Sequence, residues 1–371
     1  TSVAIAALMT AVSVIVGVSI MIGSFRTTVV TWLNETLRAD IYISPPTLTA
    51  NRVEGSLQPD VVTELLAWEG IARASTARTN SVLLPELGRE VGLVSVSGDI
   101  ADGQRPYSWI SGPEDEVWDK IGRGEGIIIS EPLVLKENLS IPPEPLTLLT
   151  PQGEQVFPVL AVFYDYASDR GTIWIGSEQY QALWGDTDIS TIAMFVNEGQ
   201  DVDAIVDEMQ AHFAGRQDLV IQSNQSLRTN SIEIFDRTFA ITAALRLLAT
   251  VVAFIGVLSA LMSLQLERAR ELGVLRATGM TLRQMWQLTF IETGLMGGVA
   301  GLLAMPTGFA LAWVLIYVIN VRSFGWTLQM HLEPTYFLQS FGVALVAALL
   351  AGIYPSLRLG QMVIATAIRQ E

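Results

Sequence analysis

The most restrictive feature of this chain is a charged stretch between two long uncharged runs. The run Leu247–Leu266 holds 20 residues without a charge, and Thr293–Asn320 is uncharged as well. A helix rises about 1.5 Å per residue, so such a run crosses a hydrocarbon core about 30 Å thick. The stretch between the runs contains Arg268, Arg270, Arg276 and Arg283. Short arginine-rich loops beside membrane spans mark the cytoplasmic side, so we expect this stretch to face the cytoplasm.

Charge divides the chain into two parts. Only 16% of the 371 residues are charged, against about 25% in soluble domains. Residues 24–237 hold 14 basic and 32 acidic residues, a net charge of −18, whereas the rest holds 8 and 5, a net charge of +3. An acidic, water-soluble block is therefore predicted inside a membrane module. Its charge argues against a nucleic-acid partner, and the lack of cysteine excludes disulfides and thiolate metal sites.

Four apolar segments are predicted to cross a lipid bilayer. The predicted order is a first span at 1–23, an extracytoplasmic domain at 24–237, a second span at 238–264, a cytoplasmic coupling segment at 265–287, a third span at 288–320, an outer loop at 321–335, a fourth span at 336–357 and a tail at 358–371. The predicted fold class is a membrane module of four transmembrane helices, with an α+β domain inserted between helices 1 and 2. Both termini are expected in the cytoplasm.

Small residues recur on the third and fourth predicted spans at intervals that let helix backbones approach closely. They are Gly297, Gly301, Ala344, Ala348 and Gly352. Proline acts differently because it lacks the backbone N–H of a helix interior. Pro306 predicts a kink in the third span, and Pro355 is expected to end the fourth.

Helical stalks are predicted at both ends of the inserted domain. Residues 27–38 place Val29, Val30, Leu33 and Leu37 on one helical face. A single helix from Ser226 to Arg276, 51 residues, would reach about 75 Å. Apolar residues at heptad spacing along it predict a seam for a partner helix.

Between the stalks, alternating short strands and helices predict a mixed α+β domain. Helices are predicted at Asp60–Trp68 and Val202–Phe213, the second opened by Asp201. The predicted strands are Ile41–Ser44, Val91–Ser97, Gly126–Ser130, Leu146–Thr150, Val156–Phe163, Thr172–Ile175 and Thr191–Val196.

No constellation of residues predicts catalysis or cofactor binding by this chain. The sequence lacks G-x-x-x-x-G-K-[ST], so it supplies no Walker-type ATP site. Gly122–Gly126 precedes a predicted strand, whereas phosphate loops follow one, so it is interpreted as a turn. His212 and His331 have no partner at metal-ligand spacing. We therefore expect no enzyme activity, metal or bound cofactor in this chain.

The coupling segment has a predicted internal structure. Gly279 is a helix stop, and Thr281–Gln284 forms a capping box that begins the next helix. Two interpretations follow from the residues alone. The segment is either an interfacial hairpin that spaces two spans, or a docking surface for a cytoplasmic partner.

A resemblance to a known family bears on this choice. Glu267–Gly279, followed by Glu292, is similar to the R-x-x-E-[IL]-G-x-L-R-A-x-G…E signature of FtsX-like ABC-transporter permeases. The C-terminus Tyr354–Glu371 resembles that family's closing P-[AS]-x-x-A…A-L-R-x-E. Two mild departures are Leu359 or Gly360 at a usual alanine and Ile368 at a usual leucine. The strand end Val96–Asp99 and the elements after it resemble a MacB-like extracytoplasmic core.

The resemblance implies a permease subunit that works with a separate ATPase, which would hold the ATP and Mg²⁺. A second permease module, a periplasmic adaptor or a substrate protein are further implied partners, and the implied location is the bacterial plasma (inner) membrane. The residues expected to contact the ATPase are Glu267, Arg268, Arg270, Glu271, Leu272, Gly273, Leu275, Arg276 and Gly279.

Three functions are compatible with this arrangement. The first is export or extraction of a lipid, lipoprotein, peptide or other amphiphile, driven by the ATPase. The second is regulation of a periplasmic partner such as a cell-wall hydrolase, as in FtsEX-type systems, without transport. The third is a membrane-anchored sensor that has no ATPase. The sequence begins at Thr1, directly at a predicted span, which indicates a processed or shortened chain or the second half of a longer one. We expect the last, because the resemblance implies a cytoplasmic segment before this span.

Overall fold

A computed structural model describes residues 2–46, 55–97, 108–112, 116–267, 274–275 and 278–361. The chain divides into two compact units. The helical unit comprises Thr1–Thr27, Phe235–Ile319 and Leu328–Glu371, and the sheet unit comprises Thr28–Ile234 and Asn320–Thr327. The chain therefore passes from one unit to the other four times, and two of these passages flank the short segment Asn320–Thr327.

The helices in the described ranges differ widely in length. They are α1 (Ser2–Thr36), α2 (Pro59–Leu66), α3 (Val117–Gly122), α4 (Glu131–Glu137), α5 (Ser177–Trp184), α6 (Val202–Phe213), α7 (Asn224–Glu267), α8 (Leu282–Val314), α9 (Val321–Phe324) and α10 (Pro334–Gln361). A π-helical segment, Leu315–Asn320, joins α8 to α9.

Three helices of the described part are long and apolar enough to cross a membrane. They cover Ile5–Thr36, Leu282–Phe324 and Pro334–Ile353. The predicted second span, 238–264, lies within the 44-residue α7, many of whose side chains fall outside the described ones. The count of four spans therefore stays a prediction.

The strands of the sheet unit are short, with one exception. They are β1 (Ile41–Ser44), β2 (Ile71–Leu84), β3 (Arg89–Val96), β4 (Trp109–Ser111), β5 (Ile127–Ser130), β6 (Leu146–Thr150), β7 (Gly153–Phe157), β8 (Val159–Phe163), β9 (Thr172–Gly176), β10 (Thr191–Val196) and β11 (Val220–Ser223). Nine of them form one sheet in the order β11-β1-β10-β2-β3-β9-β5-β8-β4, and β6 pairs with β7. The pairs β3–β9 and β5–β8 are parallel and the others antiparallel.

The long strand β2 joins the two halves of the sheet. Its residues 71–77 pair with β10, and its residues 77–84 pair with β3. One buried apolar cluster lies around Ile41, Val61 and Met209, and another lies around Leu93, Ile129 and Ile173. The sequence does not predict β2, because the stretch Ala-Arg-Ala-Ser-Thr-Ala-Arg-Thr in its first half lacks the apolar alternation of a half-buried strand.

The structure corrects two predicted elements. The single strand predicted at Val156–Phe163 is two strands, β7 and β8, separated at Pro158, which has no N–H to donate to a ladder. The helix of the fourth predicted span does not end at Pro355, because α10 continues to Gln361, although its membrane-crossing segment is Pro334–Ile353. Proline is tolerated in membrane helices where neighbouring groups satisfy the freed carbonyl. Gly98 and Asp99 lie outside the described residues.

Candidate coupling site

A tight turn precedes α8 within the predicted coupling segment. The Thr278 N–H donates to the Val274 carbonyl over 2.9 Å, and the Met280 N–H donates to the Leu275 carbonyl over 3.0 Å. Gly279 between them has a φ of +109°. A side chain is strained in this left-handed region, so the turn requires glycine although the space around Gly279 is open.

The beginning of α8 is fixed by a capping box. The Thr281 hydroxyl accepts from the Gln284 N–H, and the Gln284 side chain accepts from the Thr281 N–H over 2.9 Å. These bonds satisfy backbone donors that have no partner inside the helix. The helix start predicted from Thr281–Gln284 is present, so the turn and α8 have a defined junction.

Large apolar side chains are exposed on both sides of this turn. Val274 is 52% exposed, Leu275 43% and Leu282 45%. Exposed leucine or valine is common when it is isolated. Three such residues close to one turn, next in sequence to the arginine-rich stretch, offer apolar side chains that a partner protein can cover.

The described residues include part of the predicted coupling set. Glu267 is the last residue of α7, Leu275 is exposed beside the turn, and Gly279 forms it. The other predicted members fall outside the described residues; they are Arg268, Arg270, Glu271, Leu272, Gly273 and Arg276.

The predicted packing residues of the third and fourth spans meet between α8 and α10. A Cβ added at Gly297 would lie 2.6 Å from the Ala348 Cβ and 3.2 Å from the Ala344 carbonyl oxygen. One added at Gly301 would lie 2.8 Å from the Phe341 ring. Only glycine permits this approach without rearrangement, so the two helices pack backbone to backbone.

The two predicted prolines and Gly352 have separate surroundings. A Cβ added at Gly352 would lie 3.0 Å from the Thr293 hydroxyl oxygen, so Gly352 belongs to the same contact between α8 and α10. Pro306 lies inside α8 with an exposed side chain. Pro355 lies inside α10, and its side chain is not among the described ones.

A second close contact, between α1 and α8, was not predicted from the sequence. A Cβ added at Gly308 would lie 2.5 Å from the Val16 Cβ, and the Ser13 and Thr307 hydroxyls are 2.5 Å apart. The signal was present, since Gly17 and Gly308 are small residues inside apolar spans. The spacing of small residues within a helix does not say which of the other helices that face contacts. The sequence therefore did not identify α1 and α8 as neighbours.

Part of the chain, including the turn at Gly279, matches a known family. The FtsX-like permease C-terminal family matches residues 243–364. The match contains the turn at Gly279 and all of α8 and α10. It confirms the resemblance drawn from the motif Glu267–Gly279.

A curated relative matches the whole chain. The uncharacterized ABC transporter permease protein Rv0987 of Mycobacterium tuberculosis (strain ATCC 25618 / H37Rv) is 58% identical over 371 residues, which is 100% of this chain and 43% of the relative. The chain thus spans less than half the length of that relative.

Three solved structures are similar to part of the chain. The periplasmic region of MacB from Actinobacillus actinomycetemcomitans is 12% identical with a TM-score of 0.36, over 54% of this chain and 95% of that one. The extracellular domain of the noncanonic ABC-type transporter YknZ from Gram-positive bacteria is 14% identical with a TM-score of 0.35, over 50% and 100%. A domain of a putative permease protein from Porphyromonas gingivalis is 16% identical with a TM-score of 0.27, over 50% and 86%.

The helical unit and the matched relative agree with the resemblance seen in the sequence. The apolar helices α1, α8 and α10 fit a multi-pass membrane protein, and the matched region begins inside α7 and continues past the turn. Residues 243–364 therefore match the FtsX-like permease C-terminal family, and the whole chain is similar to part of a protein described as an ABC transporter permease.

Proposed function

We propose that the chain is a permease subunit that converts ATP hydrolysis by a separate ATPase subunit into movement of the sheet unit. The observation that carries the proposal is the exposure of the large apolar side chains Val274, Leu275 and Leu282 near the Gly279 turn. It lies within the matched family region and next to the predicted cytoplasmic arginines. We expect the ATPase to cover these side chains and to hold the ATP and Mg²⁺, while this chain binds no cofactor.

Charge and glycine near these side chains would make the contact specific. Glu271 and Arg276 would form charged contacts with the ATPase, and Gly273 would permit close backbone approach. Arg276 follows Leu275 directly in the sequence, so an apolar anchor and a charge would be presented together. Such anchors, surrounded by polar residues, commonly dominate the affinity of a protein interface.

A second permease module is the other partner that we propose. The α7 residues at heptad spacing expose large apolar side chains, and those described are Ile234, Ile241, Leu248, Val252 and Ile255. Such a seam fits a partner helix with the same spacing. The chain covers 43% of Rv0987, which leaves room in that relative for a second module. In this protein the module would lie upstream in the same chain or in another copy or paralogue.

We propose that ATP hydrolysis moves the sheet unit and that no solute passes through a pore in this chain. The close contact between α8 and α10 is made by glycine and alanine, whereas a solute pore requires a polar lining. Residues 24–237 carry a net charge of −18, which favours a cationic or amphiphilic cargo. We therefore propose export or extraction of a lipid, lipoprotein or peptide from the plasma (inner) membrane. The glycine and alanine contact between α8 and α10 is equally compatible with the alternative function, regulation of a periplasmic partner without transport.

Co-purification with the ATPase tests the proposal. The charge reversals Glu271→Lys and Arg276→Glu, and the substitution Leu275→Asp, should each reduce the ATPase retained by the tagged chain at least tenfold. A single buried charge repulsion or apolar loss of about 1.4 kcal/mol accounts for a factor of ten. The measurement is the ratio of ATPase to permease after affinity purification from membranes.

Two matched controls accompany these variants. Arg322→Glu and Leu332→Asp alter exposed residues of the same types, on the predicted outer side, and should retain the ATPase fully. Retention of the ATPase by Leu275→Asp and both charge reversals would overturn the docking assignment. Stimulation of the ATPase by a candidate amphiphile in reconstituted vesicles, with or without its movement, then separates transport from regulation.

A further inference from the structure

The segment Asn320–Thr327, called here the docked loop, groups with the sheet unit although the chain on both sides of it belongs to the helical unit. The docked loop has a fixed local shape. Gly325, with a φ of +76°, ends α9, and the Asn320 side-chain amide donates to the Trp326 carbonyl over 2.9 Å. The sequence predicted only an outer loop at 321–335, with no contact assigned to it.

Two side chains of the sheet unit bind the backbone of the docked loop at one residue. The Thr327 N–H donates to Glu131 Oε2 over 3.0 Å. The Tyr166 hydroxyl donates to the Thr327 carbonyl oxygen, also over 3.0 Å. Both backbone groups of Thr327, which lies in no strand, are thus hydrogen-bonded to side chains of other segments of the sheet unit.

Aromatic packing surrounds these hydrogen bonds. The Tyr166 ring contacts the Trp326 ring with centroids 5.7 Å apart, and the Trp32 ring at 5.9 Å. Phe324 stacks on Trp326 at 5.4 Å. Aromatic pairs at such distances add about 0.5–1.5 kcal/mol to the area they bury. Tyr166 therefore joins the docked loop to the end of α1 through one ring.

Burial of Glu131 shows that the contact is more than incidental. Glu131, the first residue of α4, is 4% exposed. Desolvation raises the pKa of Glu131, while hydrogen bonds from the Thr327 side chain and backbone lower it. A buried carboxylate without donors is costly, so the docked loop supplies donors that this carboxylate requires. Lys136 of the same helix packs over Gly325, where an added Cβ would meet its Cε at 2.9 Å.

We propose that Glu131 and Tyr166 are positioning residues that hold the docked loop in the sheet unit, so that the loop moves together with that unit. The inference rests on the proposed function only for the source of the movement. Its consequence is that Asn320–Thr327 follows the sheet unit and not the helices on either side of it in sequence. The sequence predicted this segment only as part of an outer loop.

Hydrogen exchange in the full chain, in detergent micelles or nanodiscs, tests the docking directly. Glu131→Ala removes the acceptor of the Thr327 N–H, and Tyr166→Phe keeps the ring but removes the hydroxyl donor. Each should speed exchange in a peptide covering residues 320–330 by about threefold to tenfold, since a net hydrogen bond changes local opening by roughly that factor. Glu131→Gln keeps an oxygen acceptor and should fall between Glu131→Ala and the parent chain.

Matched controls lie in the same unit. Glu137→Ala removes a glutamate at the other end of α4 that pairs with Arg89, and Tyr180→Phe removes a buried hydroxyl bonded to Asp186. Neither should change exchange in residues 320–330. If Glu131→Ala instead speeds exchange throughout β2 and β3, this variant damages the fold. The test then depends on the exchange of residues 320–330 in Tyr166→Phe. Parent-like exchange of residues 320–330 in Tyr166→Phe would then overturn the proposal.

Distance measurements test the joint movement. The chain contains no cysteine, so Ser323→Cys in the docked loop and Glu178→Cys on α5 provide two unique spin-label sites. Their distance should stay unchanged when the partner ATPase binds a non-hydrolysable ATP analogue, and its distribution should broaden in Tyr166→Phe. A nucleotide-dependent change in the parent chain would refute joint movement. Failure of the ATPase to bind would instead refute the proposed function and leave the exchange result standing.

Discussion

The helical unit and the sheet unit bury different kinds of side chain. The cluster of the helical unit contains Ala300, Ala304 and Ala348, and its helices meet at glycines. The cluster of the sheet unit contains Ile129 and Leu133 with other large aliphatic residues. In water, large apolar side chains drive packing by leaving the solvent, whereas between lipid-facing helices that driving force is absent and close contact decides. The packing of the helical unit therefore depends mainly on small side chains that allow close contact. The packing of the sheet unit depends mainly on the burial of large apolar side chains.

Buried polar groups differ in the same way. In the helical unit, the Thr293 hydroxyl donates to the Thr289 carbonyl one turn earlier, over 2.9 Å, so the helix satisfies its own hydroxyl. In the sheet unit, Glu131 and Asp165 are 4% and 6% exposed. Glu131 accepts from the distant Thr327, and Asp165 accepts from Ala167 and Thr172 further along the chain. The sheet unit should therefore respond to pH and the helical unit to side-chain volume.

The largest expected effect comes from Asp165. Burial raises the pKa of Asp165 to about 6 from 3.8, against hydrogen bonds from the Ala167 N–H and the Thr172 hydroxyl. Because the folded pKa lies above the unfolded value, the contribution of Asp165 to stability is full below pH 4 and is lost as pH rises through 6. Asp165→Asn should remove this loss. Relative to the variant, the parent chain should lose up to about 3 kcal/mol of unfolding free energy between pH 4 and 7.

Chemical denaturation followed by tryptophan fluorescence at several pH values measures this difference. Burial also raises the pKa of Glu131, so the comparison between parent and variant is needed to isolate Asp165. Asp218→Asn, at an exposed position, should follow the parent curve. Parallel curves for the parent and Asp165→Asn would contradict the prediction.

A smaller effect, about 2 kcal/mol, is expected when a methyl group is added between α8 and α10. Gly297→Ala brings its Cβ to within 2.6 Å of the Ala348 Cβ, whereas Gly298 has nothing within 4 Å of an added Cβ. Gly297→Ala should lower the melting temperature of the chain in detergent, and Gly298→Ala should not. Ala348→Gly in the Gly297→Ala background should restore part of the loss. Equal melting temperatures for the two alanine variants would show that volume is not limiting there.

The smallest effect, about 1 kcal/mol, is expected at the junction before α8. Thr281→Ala removes the hydroxyl that caps the Gln284 N–H, whereas Thr281→Ser keeps it. Faster hydrogen exchange is therefore expected over residues 281–286 in the alanine variant and parent-like exchange in the serine variant. Identical exchange in both variants would mean that the cap does not stabilise the first turn.

Prediction from sequence worked where local spacing decides structure. The helix Val202–Phe213 with its Asp201 cap and the Thr281–Gln284 capping box are present. Strands β6 and β10 have the predicted bounds. Each depends on residues within a few positions of one another, so no knowledge of distant contacts was required.

The sequence did not predict structural features that depend on partners far away along the chain. Strand β2 is a strand because β10 and β3 supply its hydrogen-bonding partners, not because its own residues favour burial. Helix α4 begins with Glu131, and glutamate is rarely buried unless it is paired. Its partner, Thr327, lies 196 positions away in sequence, and no pattern around Glu131 points to it.

The sequence by itself determined the apolar spans, the acidic block, the family motif and the helix caps, because each is written in charge or spacing along the chain. The tertiary structure alone decided which small faces meet and that Asn320–Thr327 belongs to the sheet unit. It also decided which carboxylates are buried. The physical reason is that burial and close approach are properties of pairs of segments, and one segment's sequence does not name its partner.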